Sequence, residues 1–233
     1  MITCIKDRKR NNGRVSPLLL MLSVMFVSFL MMSNVLANRM VQFGPWAIDA
    51  GTLTFPITYV LSDVFSEVYG YRWSRRVTWY ATIVNTIMAL MIALTIKLPA
   101  PEWFESSHFQ LALGQSWRIV VASLVSYFFG DWANDIIFRF MKKEHVDIKG
   151  LGLRAIVSSI GGSIVDTSLF VIIAFTGSMP ANEVLPMILI SVVLKTVYEA
   201  IVLPLTILVA KKVGEYEIEY NKEGNYAGIG NWS

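Results

Sequence analysis

The chain has 233 residues, 55% of them hydrophobic, with 20 Lys/Arg against 17 Asp/Glu and a single cysteine; its mean hydropathy is +0.53. Soluble domains are about 45–50% apolar, so an excess gathered into long runs, as here, excludes a water-soluble globular fold. Lone Cys4 excludes an intramolecular disulfide, His108 and His145 both fall in loops, and no cluster has metal-ligand spacing.

Residues 1–14, MITCIKDRKRNNGR, form a basic tail expected to be poorly ordered. The apolar run Val15–Ala37 exceeds the about 7–15 residues of a signal-peptide core and lacks a convincing cleavage site, so it reads as a retained first span. After Gly44-Pro45 a second span is expected over 46–69, with Pro56 kinking it. The third, 77–98, carries Asn85. A loop from Pro99 to Gly114 follows, with Trp103, Phe104 and Phe109 suited to the membrane interface. The fourth span, 116–141, holds Asp131, Asn134 and Asp135. The fifth, 155–176, places Ser159, Gly162, Ser163 and Asp166 on one face, where small residues permit close helix approach. The sixth, 184–210, contains Lys195, Glu199 and Pro204, and a polar tail occupies 211–233.

These segments predict an all-α integral membrane protein with six transmembrane helices in one domain, residues 15–210. Basic residues alternate across it. Sixteen Lys/Arg fall on the side of the two tails, the 2–3 loop and the 4–5 loop; Arg39, Lys97 and Arg118 fall on the other. That asymmetry predicts cytoplasmic N and C termini.

The functional signal is the set of acids within the spans, away from their first residues: Asp63, Glu67, Asp131, Asp135, Asp166 and Glu199, joined by the base Lys195. A charge at the bilayer centre costs about 2.5–3.5 kcal/mol on insertion scales, so such groups face a polar interior and mark solute pathways or proton relays. In FPITYVLSDVFSEVYG, Tyr59, Asp63 and Glu67 recur every four residues and are expected on one helix face. Asp63, Asp131 and Asp166 lie at mid-depth with no base nearby on the same helix. Lys195 and Glu199, four apart, are either a structural ion pair or a functional one. Asp135 and Arg139 have the same spacing near the interface and read as structural. Glu67, close to Gly70, is either an interfacial acid or part of the site. Tyr59, Tyr127 and Tyr198 each stand one helical step from a charged residue. An aromatic face beside a carboxylate suits a planar heterocycle bearing N–H donors.

Enzyme readings find little support. HExxH, GxSxG and Walker loops are absent, and no histidine lies within a span. An intramembrane aspartyl protease is the least favoured reading, since the YD and GxGD contexts are missing. SNVLAN in the first span and GDWAND in the fourth are faintly alike, which fits a weak inverted repeat of three spans each.

Over roughly residues 30–210 the chain resembles the queuosine precursor transporter family, earlier grouped with vitamin-uptake transporters. The resemblance rests on SNVLANR, FPITYVLSDVFSEVYGYRWSRR, GDWANDIIFRFMK, LRAIVSSIGGSIVDTSLF and LKTVYEAIVLPLT. The chain departs from it at Arg39 (often Lys), Asp131 (often Glu) and Ser163 (often an amide). The resemblance implies a non-enzymatic importer in the cell (inner) membrane, without cofactor, that takes up 7-cyano-7-deazaguanine, 7-aminomethyl-7-deazaguanine or queuine for tRNA queuosine. Its expected partners are that small 7-deazaguanine solute and the lipid bilayer. Nucleic acid is not expected, and a homo-oligomer is left open. The substrate-binding residues it implies are Tyr59, Asp63, Glu67, Asp131, Asn134, Asp166 and Tyr198, with Lys195 and Glu199 as a coupling or gating pair. The alternative is a substrate-capture subunit of an energy-coupling-factor vitamin importer. Such subunits dock through small residues in the first span, whereas this one is packed with Leu, Met and Phe.

Overall fold

The structure, a computed structural model, describes residues 16–141 and 148–222. Both expected tails therefore lie wholly or partly outside the described residues, as does His145. So do the side chains of Asp135 and Arg139, and with them the pairing expected there.

Helix α1 runs Pro17–Leu36. Ser16 caps it by accepting from the Leu19 amide at 3.0 Å, and Pro17 occupies the first turn, where its missing N–H costs nothing. A β-hairpin follows, β1 Met40–Phe43 paired antiparallel with β2 Trp46–Asp49, so the fold is nearly but not wholly helical. A 3-10 turn, Ala50–Leu53, leads into α2, Phe55–Val64, and then a π-turn, Phe65–Tyr69. The remaining helices are α3 Tyr71–Lys97, α4 Ser106–Leu113, α5 Ser116–Phe140, α6 Ile148–Phe175 and α7 Ala181–Lys222.

Among the described residues, five helices are long and apolar enough to cross a membrane. The expected second span over 46–69 is not one of them, because it is broken into strand, 3-10 turn, short helix and π-turn. Pro56 does not kink a long helix; it falls in the first turn of a short one. The broken segment still runs the length of α1 in the opposite direction. Ser33 Oγ donates to the Gly51 carbonyl at 3.0 Å at one end. Phe26 and Phe65 meet edge-to-face at 5.8 Å further along. At the far end Ser16 Oγ donates to Glu217 Oε1, and the Tyr69 hydroxyl donates to the same oxygen at 2.9 Å. Gly51 is required for the close approach: a Cβ there would stand 2.6 Å from the Ser33 carbonyl oxygen. The expected loop over 99–114 contains α4, and the last helix continues past 210 through Pro204 to Lys222.

The long helices and α2 close into a ring. α1 packs on α2, α2 on α7, α7 on α6, α6 on α5, α5 on α3, and α3 back on α1. Large apolar side chains such as Leu90, Trp132 and Ile201 cover its outside, as a bilayer-facing surface requires. The closest contact is the α5–α6 hairpin. A Cβ at Gly130 would stand 2.7 Å from Asp166 Cβ; one at Gly162 would stand 2.8 Å from Asn134 Cβ and 2.9 Å from the Gly130 carbonyl oxygen. The two glycines thus seat the two polar side chains reciprocally, in antiparallel register.

Two effects compete in Gly162→Ala. Alanine gains up to about 1 kcal/mol of helix propensity, but overpacking costs about 1–3 kcal/mol, and here the obstacle is backbone, which does not yield easily. The substitution is expected to lower the unfolding midpoint of the detergent-purified protein, measured by thermal denaturation.

Candidate solute site

The ring encloses a cavity of about 440 Å³, walled by α1, the hairpin, the 3-10 turn, α2, α3, α5, α6 and α7. That volume lies in the range of small-molecule sites.

Its frame is a polar network that fixes three helices. Asn34 Nδ2 on α1 donates to Asn85 Oδ1 on α3 at 2.9 Å, and Ser123 Oγ on α5 donates to Asn34 Oδ1 at 3.0 Å. Asn85 Nδ2 in turn donates to the Ala81 carbonyl at 3.0 Å. Both asparagines are buried. In a bilayer such bonds contribute about 0.6–2 kcal/mol each and, more importantly, leave no amide unsatisfied. Near the end of α1, Asn38 Nδ2 donates to Ser116 Oγ at 3.0 Å.

The chemistry centres on α6 and α7. Lys195 Nζ lies 2.8 Å from Asp166 Oδ2, with 15% and 21% of the two side chains exposed. The pairing therefore crosses between helices. The i,i+4 partner read from the sequence, Glu199, instead accepts from Ser159 Oγ at 3.3 Å. Asp49, at the end of β2, also lies within electrostatic reach of Lys195. Its Oδ1 accepts from the Thr52 amide at 3.1 Å and its Oδ2 from the Thr52 hydroxyl at 3.0 Å, which aims the carboxylate while capping the 3-10 turn.

Of the residues expected at the site, Tyr59, Asp131, Asn134, Asp166, Lys195 and Tyr198 line the cavity, while Asp63, Glu67 and Glu199 do not. Tyr59 stands within electrostatic reach of Lys195 and Asp166, and Asp63 within reach of Glu199. Tyr59 and Asp63, four apart on α2, lie within electrostatic reach of each other, but the expected face is not continued onto the cavity wall or on to Glu67. The cavity face of α2 runs through Thr58, Tyr59 and Ser62, leaving Asp63 beside it. The π-turn then inserts extra residues per turn, so the four-residue spacing no longer carries Asp63's direction on to Glu67.

Sequence reasoning missed Asp49, which lies where a continuous helix was expected. The available signal was local: Asp49 and Thr52 have capping spacing ahead of the helix-starting Pro56. Also missed were Thr167 and Ser191, both buried on the cavity wall.

Among the described residues the lining holds three carboxylates, Asp49, Asp131 and Asp166, and one ammonium, that of Lys195. It adds three tyrosines, Tyr59, Tyr127 and Tyr198. Such a site favours a solute that is flat and carries hydrogen-bond donors or a positive charge. Among the described residues no group of His, Cys, Asp and Glu is arranged to hold a metal ion.

Comparison with known families gives a match. The model of the family described as "Putative vitamin uptake transporter" aligns with residues 49–209, more than half of the chain. No curated protein and no solved structure gives a significant match.

Removing one member of a buried ion pair strands the other. Because both partners here keep some exposure, Lys195→Gln is expected to destabilise by roughly 2–3 kcal/mol, below the about 3–5 kcal/mol of a fully enclosed pair. The double variant Lys195→Gln/Asp166→Asn is expected to recover part of that loss. A double-mutant cycle on thermal unfolding in detergent measures both.

Proposed function

We propose that this chain, which belongs to the vitamin uptake transporter family, imports queuosine precursors across the cell (inner) membrane for salvage into tRNA. Family membership and the apolar helices make it a multi-pass membrane transporter. The solutes we assign are 7-cyano-7-deazaguanine, 7-aminomethyl-7-deazaguanine and queuine.

The carrying observation is the composition of the cavity wall. Among the described lining residues carboxylates outnumber ammonium groups three to one, and tyrosines stand beside them. A guanine-like edge presents a ring N–H and an exocyclic NH₂ side by side, and one carboxylate accepts both. The aminomethyl compound adds a cation, which offsets part of the negative excess. Asp166 is the carboxylate best placed to meet the solute, because Lys195 holds it in position on the cavity wall. Tyr59 and Tyr198 supply faces for the ring to stack on. Asp49 and Asp131 complete the acidic wall.

In this reading the broken segment 50–69 serves as the sixth crossing, so both termini lie in the cytoplasm. That agrees with the gathering of Ser16, Tyr69 and Glu217 at one end of the molecule and with the distribution of basic residues.

The test is uptake in cells blocked in precursor synthesis. Expression of the chain is expected to restore tRNA queuosine when either deazaguanine is supplied, each competing with the other. Asp166→Asn, checked for membrane insertion, is expected to lower uptake at least about tenfold, as loss of a charged hydrogen-bond acceptor would. Undiminished uptake by that variant refutes the assignment of Asp166.

A further inference from the structure

Several helical hydroxyls in this protein are satisfied in the ordinary way, by bonding back to the carbonyl one turn earlier. Thr78, Thr82, Thr196 and Thr206 donate to Ser74, Thr78, Val192 and Val202 at 2.9–3.2 Å. Thr167 on α6 and Ser191 on α7 do not. Both line the cavity, only 1% and 2% of their surfaces are exposed, and neither hydroxyl oxygen has a hydrogen-bond partner. Buried hydroxyls left unpaired are rare and costly, and each one calls for a partner that arrives from elsewhere.

The two are also level by register. The Asp166–Lys195 and Ser159–Glu199 contacts fix α6 and α7 side by side in opposite directions. The same alignment brings Thr167 level with Ser191. Ser191 precedes Lys195 by four residues, so the hydroxyls sit about one helical turn from the ammonium. Each side chain already forms part of the cavity wall, and staggered χ1 wells give each oxygen alternative directions.

We infer that Thr167 and Ser191 form a second subsite for the solute, which binds the substituent on its five-membered ring; this rests on the import reading above. A hydroxyl both donates and accepts. It can donate to a nitrile nitrogen in one solute and accept from an ammonium in another, which a carboxylate or a lysine cannot do. Asp166 reads the donor edge common to the solutes, and the hydroxyl pair tolerates the group that differs. The edge and the substituent lie on opposite sides of the bicyclic ring, and Ser191 lies one turn of α7 from Lys195, which holds Asp166 of α6.

The experiment is equilibrium binding of radiolabelled 7-cyano-7-deazaguanine and 7-aminomethyl-7-deazaguanine to the purified full chain in detergent. The variants are Thr167→Val, Ser191→Ala, their combination, and Thr167→Ser, which keeps the hydroxyl. The double variant is expected to bind both solutes at least about tenfold more weakly and each single variant about threefold, with Thr167→Ser close to the unsubstituted chain. If the double variant fails to fold, the single variants decide on the same criterion. Affinity within about twofold for both solutes in every folded hydroxyl-deleted variant overturns the subsite and leaves the import reading intact. Failure of the unsubstituted chain to bind either solute overturns both.

Discussion

The ion pair between Lys195 and Asp166, 2.8 Å apart across α6 and α7, is the constraint around which the cavity is arranged. Neither charge is tolerable against lipid. Together they are tolerable only inside a closed wall, and the ring of helices supplies it. The pair is also poorly balanced. Among the described residues Asp49 and Asp131 line the same space with no second ammonium, and that acidic wall suits a donor-rich solute. A purely structural bridge would gain nothing from such an excess. A binding site does, because the surplus is the attraction that a cationic or N–H-bearing solute feels.

The neutral polar groups do different work. Asn34, Asn85 and Ser123 satisfy one another and hold α1, α3 and α5 together, while Gly130 and Gly162 let α5 and α6 approach until Asn134 and Asp166 sit against the opposing backbone. These contacts tie one half of the wall together. The other half is built from broken pieces. The hairpin, the 3-10 turn, the ten-residue α2 and the π-turn have fewer continuous backbone bonds than a full helix. Irregular backbone at membrane depth is stable where it lines a cavity, and in transporters such broken helices commonly form the binding site. The segment's placement of Asp49, Thr58, Tyr59 and Ser62 on the cavity wall fits that pattern.

Much of this was legible in the sequence and some was not. Long apolar runs located α1, α3, α5, α6 and α7, because twenty apolar residues have few alternatives. Mid-span acids and Lys195 pointed to an interior polar site for the same energetic reason. The failures share one cause, the assumption of a straight helix. Over 46–69 it hid the hairpin and Asp49 and carried the face through Tyr59 past a π-turn that no composition signal announces. It also paired Lys195 with the residue four ahead, whereas the partner came from a different helix, which spacing along one chain segment does not reveal. Thr167 and Ser191 were invisible because a helical hydroxyl is normally satisfied by its own backbone; only the geometry shows that these two are not.

The central claim is that this chain alone binds and moves a 7-deazaguanine through the cavity around Lys195 and Asp166. The direct measurement is uptake of labelled 7-aminomethyl-7-deazaguanine into liposomes containing only the purified chain. The account predicts saturable uptake that unlabelled 7-cyano-7-deazaguanine competes away. Uptake that requires added ATPase subunits, or none under any driving gradient, would contradict it.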